Sequence, residues 1–263
     1  ELIQYVEEKC RMHGYSLLFS AADIDHFERD VHQLMNQNEA KGILLLGTNL
    51  SREQIEKITR LHPYVIVLDT CFETLDAHFV VMNNVKGALH LIDQGHRNIG
   101  YVQSDSRMYN FDMRKRGFHE AAHSRGLKID HYFTATPTLL VSQDNLKQQF
   151  LKLKEENRDL PTALFCECDY IAISVIKSLA EIGIRVPEDI SVAGFDNIRE
   201  ASLITPELTT VHVEKEMMAS VAVEALVQMI ENKDKKNVTS KTWIDTSVVL
   251  RESSKNPEVA DLT

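Results

Sequence analysis

Ala163-Leu164-Phe165-Cys166 is an unbroken apolar run, followed by Ile171, Val175, Ile176 and Leu179 at helical spacing, then Gly183, then Ile190-Ser191-Val192-Ala193. The two runs have the length and composition of strands buried on both faces, and the spaced residues line one side of a helix that Gly183 can end as a C-cap. The alternation extends toward the N-terminus. Leu17-Leu18-Phe19, Ile43-Leu44-Leu45-Leu46, Val65-Ile66-Val67-Leu68 and Ile99-Gly100-Tyr101-Val102 read as further buried parallel strands. Leu2, Ile3, Val6 and Cys10 make one apolar helix face, and Ile55, Ile58 and Leu61 another. Repeated strand and helix predict a doubly wound α/β sheet, whose ligands bind beyond the carboxyl ends of the strands.

Chemistry is therefore sought just after the strands, at Gly47-Thr48, Asp69-Thr70-Cys71, Gln103-Ser104, Glu167-Cys168-Asp169 and Phe195-Asp196. Asp169, directly before a periodic run, reads as a helix N-cap. Asp23, Asp25 and His26 also read as capping residues at a helix start, in preference to metal ligands. His96, just past a helix, reads as a structural side chain bonding local backbone.

A chain of 263 residues with 43% hydrophobic side chains can build one large domain or two lobes. Thirty-nine acidic against 29 basic side chains give a net charge of −10, which repels DNA phosphates, and the short runs Arg114-Lys115-Arg116 and Lys233, Lys235, Lys236 read as solvated surface. Four cysteines make no disulfide framework and point to a cytoplasmic setting. No apolar stretch is long enough to span a bilayer, so no membrane partner is expected. The tail after Ser253 reads as frayed.

Signatures of common enzymes are absent: there is no Gly-x-Ser-x-Gly, His-Glu-x-x-His, Gly-x-x-x-x-Gly-Lys or Gly-x-Gly-x-x-Gly. Cys166-Glu167-Cys168 has no histidine or second cysteine pair at zinc spacing, so its thiols read as buried or cleft-lining. The expectation is a binding protein, not an enzyme, with no cofactor and no metal.

The segment from Gly183 through Val186-Pro187-Glu188-Asp189-Ile190-Ser191-Val192-Ala193-Gly194-Phe195-Asp196-Asn197, with Thr205-Pro206-Glu207-Leu208-Thr209-Thr210-Val211 after it, closely resembles the core signature of LacI/GalR-family regulators. Gln94-Gly95-His96-Arg97-Asn98-Ile99-Gly100-Tyr101 resembles the family's helix-to-strand join, and Arg114-Lys115-Arg116-Gly117-Phe118 its Arg-x-x-Gly-aromatic helix. The resemblance implies a periplasmic-binding-protein-like type I fold: two doubly wound parallel-sheet lobes joined by three crossovers, placed near Ser104, Val213 and Lys241. One lobe would hold 1–104 plus 213–240, and the other 105–212 plus 241–254. It further implies a homodimer and a small sugar-like effector in the cleft, controlling operator binding allosterically.

By the same resemblance, Asp196 and Arg114 are the carboxylate and guanidinium that contact the effector, and both suit paired hydroxyls. The bland readings are a turn or capping role for Asp196 and a surface ion pair for Arg114. Phe195 would support the carboxylate, with Tyr109, Phe111 and Phe72 as candidates for a ring platform, although an aromatic in a loop is more usually core or lobe packing. Arg116, two residues from Arg114, should point elsewhere. Cys168 stands where the family usually carries Asn, which implies altered specificity, and Glu167 beside it would project polar chemistry from the adjacent face. The helix from Val85 to Gln94 is a turn shorter than the family leads one to expect. The chain opens on a helix where the fold needs a central strand, so native sequence is expected upstream of Glu1, including a helix-turn-helix through which alone operator DNA would be bound. The rival readings are a sugar transporter's solute-binding protein and an enzyme using Cys168 or Asp196.

Overall fold

The computed structural model describes residues 1–20, 27–38, 40–85, 89–138, 141–232 and 238–257. The chain divides into two compact units, Glu1–Asn83 with Glu214–Asp245, and Asn84–Val213 with Thr246–Thr263. Each is an α/β unit with its own sheet.

In the first unit, β1 (Ile43–Leu46), β2 (Val65–Leu68), β3 (His78–Met82) and β9 (Lys241–Ile244) lie in the order β1-β2-β3-β9, all parallel. All four residues of β2 are buried, as an unbroken Val-Ile-Val-Leu run requires. Helix α3 (Arg52–Leu61) starts in a reciprocal capping box: Ser51 Oγ accepts from the Gln54 N–H and Gln54 Oε1 accepts from the Ser51 N–H. Helices α1 (Leu2–Met12) and α8 (Lys215–Glu231) pack on each other, with Val6 and Cys10 of one and Met218, Ala222 and Leu226 of the other buried.

The second unit holds β4 (Ile99–Ser104), β5 (His131–Ala135), β6 (Ala163–Cys166), β7 (Ser191–Asp196), β8 (Thr209–Val213) and β10 (Thr246–Val249), in the order β10-β8-β7-β6-β4-β5. Every pairing is parallel except β10 against β8. Between β6 and β7, helix α7 (Asp169–Glu181) is apolar on nearly every side, and Ile171, Ala172, Ile173, Val175, Ile176 and Leu179 are all buried. Phe111, Phe133, Phe150 and Leu146 complete that core.

Several expectations need correction. The first crossing lies between Asn83 and Asn84, not near Ser104, because Ile99–Ser104 pairs with β5 and β6 in the second sheet. The second falls between Val213 and Glu214, and the third between Asp245 and Thr246, since Lys241–Ile244 pairs with β3 in the first sheet. Leu17-Leu18-Phe19 forms no strand: no described strand pairs with it, and Leu18 and Phe19 are exposed. Asp23, Asp25 and His26 lie outside the described residues, as do Lys233, Lys235 and Lys236. Of the expected helix Val85 to Gln94, the described part is α4 (Leu89–Asp93); residues 86–88 lie outside.

The segment after β10 is tied down as far as Lys255, where fraying was expected. Ser253 is fully buried; its Oγ donates to Val192 O (2.7 Å) and accepts from the Thr209 N–H (2.8 Å). Nor is the partner of His96 local: its Nε2 meets Lys255 O at 2.9 Å, a carbonyl that only accepts, so that nitrogen carries the proton. Its Nδ1 lies 2.9 Å from Thr162 Oγ1. Burial holds the His96 imidazole below its ordinary pKa, which suits a neutral ring between two uncharged partners.

Ser253→Ala strands the Thr209 N–H in a dry place, so its expected cost is about 1–3 kcal/mol of unfolding free energy. A lower urea midpoint at an unchanged m-value is the signature to look for.

Candidate functional site

The strands of the second unit end at a cluster of charged side chains, and its centre is Arg114 on helix α5 (Tyr109–Ser124). The residue is 3% exposed. Its Nη2 donates to Asp196 Oδ1 at 2.8 Å, its Nη1 to the Glu167 carbonyl at 2.6 Å and its Nε to Asn84 Oδ1 at 3.0 Å. The guanidinium carbon lies 3.8 Å from the Phe195 ring centre and 5.7 Å from that of Phe111. A buried cation needs such acceptors, because desolvation without them costs several kcal/mol.

Local sequence makes the arrangement possible. Gly117 is one turn beyond Arg114, and a Cβ there would come within 2.5 Å of Val85 Cα. The bare glycine thus lets α5 close on the 84–85 backbone, which brings Asn84 to the guanidinium; Asn84 Nδ2 also donates to Asn110 Oδ1 at 3.1 Å. On the other side β7 ends in Asp196 and Asn197, both left-handed, with φ of 114° and 49°. A residue other than glycine at such angles stores about 1–3 kcal/mol and persists where its surroundings hold it. Here the holding contacts are Arg114 on Asp196, and His212 Nδ1 (3.0 Å) and Arg251 Nη2 (2.8 Å) on the Asn197 amide.

Asp169 is the first residue of α7, whereas Cys168 occupies the N-cap, so the capping role expected of Asp169 is not what its carboxylate does. Fully buried, it reaches across to accept from the Ile198 N–H (2.9 Å) and the Thr210 hydroxyl (2.5 Å). Gly194 makes room for it, since a Cβ there would stand 2.2 Å from Asp169 Oδ1. Burial first, and the Asp196 charge second, push the Asp169 carboxyl up to about 7. Burial likewise, with the Asp196 charge second, pushes the Cys168 thiol up to about 12, so at neutral pH it is an uncharged group.

Glu167, beside Cys168, is fully buried, and its polar chemistry is turned inward. Its carboxylate accepts from Tyr101 Oη (2.7 Å), the Ser104 N–H (2.6 Å) and Arg107 Nη1 (2.8 Å to each oxygen). Arg107 in turn bonds Asp112 through Nη2 at 2.7 Å.

Of the candidate residues, the structure brings Asp196, Arg114, Phe195 and Phe111 into contact, with Cys168 close enough for both charges to act on its thiol. Phe195 and Phe111 are buried against the guanidinium, so their faces serve the cation. Tyr109, half-buried, opens α5, and Phe72, also half-buried, belongs to the first unit. Arg116 pairs with Glu120 on the exposed side of α5. Sequence reading named none of Asn84, Arg107 and Tyr101 as a site residue, and placed Tyr101 only in a strand. Among the described residues, no group of three or more His, Cys, Asp or Glu side chains is arranged to hold a metal, and no helix is long and apolar enough to cross a membrane.

Gly194→Ala should cost about 1–3 kcal/mol by overpacking the Asp169 carboxylate, read as a fall in melting temperature. Asp169 also has a pH signature. Its folded pKa lies above its unfolded value, so its contribution is full below about pH 4 and is lost as pH rises through about 7. The stability of the wild type minus that of Asp169→Asn is therefore expected to fall between pH 5 and pH 8 in urea titrations.

Residues 88–254 match the periplasmic binding protein-like domain family. The HTH-type transcriptional repressor PurR of Aliivibrio fischeri (strain ATCC 700601 / ES114) is 31% identical over 250 residues, spanning 89% of this chain and 71% of that protein. In fold, the chain resembles a dimeric Lac repressor with an 11-residue C-terminal deletion, with a TM-score of 0.82 at 20% identity, covering 97% of this chain and 93% of that one. It also resembles a LacI family transcriptional regulator from Enterococcus faecium with bound ribose, with a TM-score of 0.77 at 21% identity, covering 97% and 93%. Signature, fold and relatives agree, and the chain belongs to the LacI/GalR family of transcriptional regulators, of which it is the effector-binding region.

Proposed function

We propose that this chain senses a small sugar-like metabolite and passes its presence to operator DNA through a DNA-binding region outside the sequence given. The metabolite docks at the tip of β7, where Asp196 accepts hydrogen bonds from its hydroxyls. Arg114 acts chiefly by presenting that carboxylate, because one N–H on each of its three nitrogens is given to Asn84, Glu167 or Asp196. The regulator works as a cytoplasmic homodimer and carries out no chemistry on its effector. Occupancy of the site shifts the balance between operator-binding and operator-free forms by its differential affinity for them.

The observation that carries this reading is the Arg114–Asp196 pair itself. It is a charge-assisted bond of 2.8 Å at a strand tip, backed by the Phe195 ring, in which Asp196 is the more open partner, with 29% of its side chain exposed against 4%. A carboxylate held in a strained backbone and left partly open is poised to meet a ligand that brings hydrogen-bond donors. The name of the Aliivibrio relative supports the regulatory role, and the ribose in the Enterococcus regulator supports the ligand class. Cys168, neutral and buried, offers no strong donor or acceptor and so leaves selection to Asp196.

A thermal-shift screen of the chain against neutral sugars, sugar phosphates, uronic acids and nucleobases tests the proposal. At a hundredfold excess over Kd, a true ligand adds about 2.7 kcal/mol to the folded state. The expected outcome is stabilisation by a sugar or sugar derivative that disappears in Asp196→Ala. A hit that survives Asp196→Ala, or a response confined to nucleobases, contradicts it.

A further inference from the structure

Glu167 stands between β6 and α7, yet its side chain, its amide and its carbonyl all bond the β4–α5 segment. Its N–H donates to Val102 O at 3.1 Å and its carbonyl takes Arg114 Nη1 at 2.6 Å. The carboxylate takes Tyr101, the Ser104 amide and both contacts from Arg107 Nη1. Arg107 is bound on its other edge as well, with Nε and Nη2 on Asp112 Oδ1 at 3.1 and 2.7 Å. Two guanidiniums, Arg107 and Arg114, thus rest on one residue, the first on its carboxylate and the second on its carbonyl. Both lie against the Phe111 ring, at 6.0 and 5.7 Å from its centre. Arg107 is thus joined to the Arg114–Asp196 pair through one residue and one ring.

These two cations face three carboxylates, Glu167, Asp112 and Asp196. Arg107, with 36% of its side chain exposed, is the cation that solvent reaches, and Glu167 neutralises it from below. We propose that Glu167 is a specificity-determining positioning residue: by engaging Arg107 it removes the cation an anionic ligand would need, restricting the effector to uncharged sugars and excluding uronates and sugar phosphates. This rests on the effector reading given under Proposed function and narrows it to a ligand class. Physically it is exclusion by unpaired charge: an anion at the rim meets Asp196 with no free guanidinium to offset it.

Calorimetric titration of the wild type, Glu167→Gln and Glu167→Ala with inorganic phosphate and with glucuronate, at ionic strength matched with sodium chloride, tests the assignment. The wild type is expected to bind neither. Glu167→Gln, which keeps the side-chain shape and drops the charge, should gain at least tenfold in affinity for both, and the gain should vanish in Glu167→Gln/Arg107→Gln. Glu167→Ala is the second route to the same result should the glutamine variant not fold. Wild type that already binds phosphate or glucuronate, or a folded Glu167 variant with no such gain, overturns the proposal. The phosphate arm does not depend on a sugar being found. Failure of every neutral sugar in the thermal screen counts against the effector reading, whereas failure of the anion arm counts against the role of Glu167.

Discussion

A guanidinium in a dry interior must give its N–H bonds to acceptors, and this requirement at Arg114 organises the second unit. The acceptors come from three separate places: the Asn84 side chain, the Glu167 carbonyl after β6 and the Asp196 carboxylate after β7. Each must arrive at bonding distance, so α5, the β6–α7 junction and the tip of β7 are registered on one point. Gly117 permits the approach on one flank, and Gly194 permits the Asp169 carboxylate that braces Ile198 and Thr210 on another. The glycines of two family signatures thus make room for different neighbours, Gly117 for the Val85 backbone and Gly194 for the Asp169 carboxylate.

Such a site is costly and is offset by packing elsewhere. Asp196 and Asn197 sit at positive φ and the Asp169 carboxyl titrates near neutrality. Helix α7, buried on nearly every side, and the Ser253 strap across β7 and β8 supply the rigid surroundings that hold them. Strain concentrated at a strand tip above a well-packed sheet is the usual signature of a binding site in an α/β fold.

Much of this was legible in the residues. Ile43–Leu46, Val65–Leu68 and Ala163–Cys166 are strands with the limits their apolar runs suggest; the latter two are buried on both faces, which leaves no polar interruption. His78–Met82 was hidden by a connection, residues 69–77, that carries no helix, although β3 is parallel to β2. His131–Ala135 and Thr246–Val249 lie at sheet edges and mix polar with apolar residues, which hides them from an apolar-run reading. Leu17-Leu18-Phe19 has strand composition without a described partner, which composition alone does not reveal. At the site, Arg114 and Asp196 were named from the family resemblance. The roles of Glu167 and Arg107 were not, because their bonds span 60 residues of sequence and no local periodicity encodes them.

The most direct test of the central claim is a double-mutant cycle on unfolding free energy with Arg114→Lys and Asp196→Asn, singly and together. If the guanidinium and the carboxylate form one buried, charge-assisted unit, the losses are non-additive, with a coupling of about 1–3 kcal/mol. Additive losses, with a coupling near zero, would contradict it.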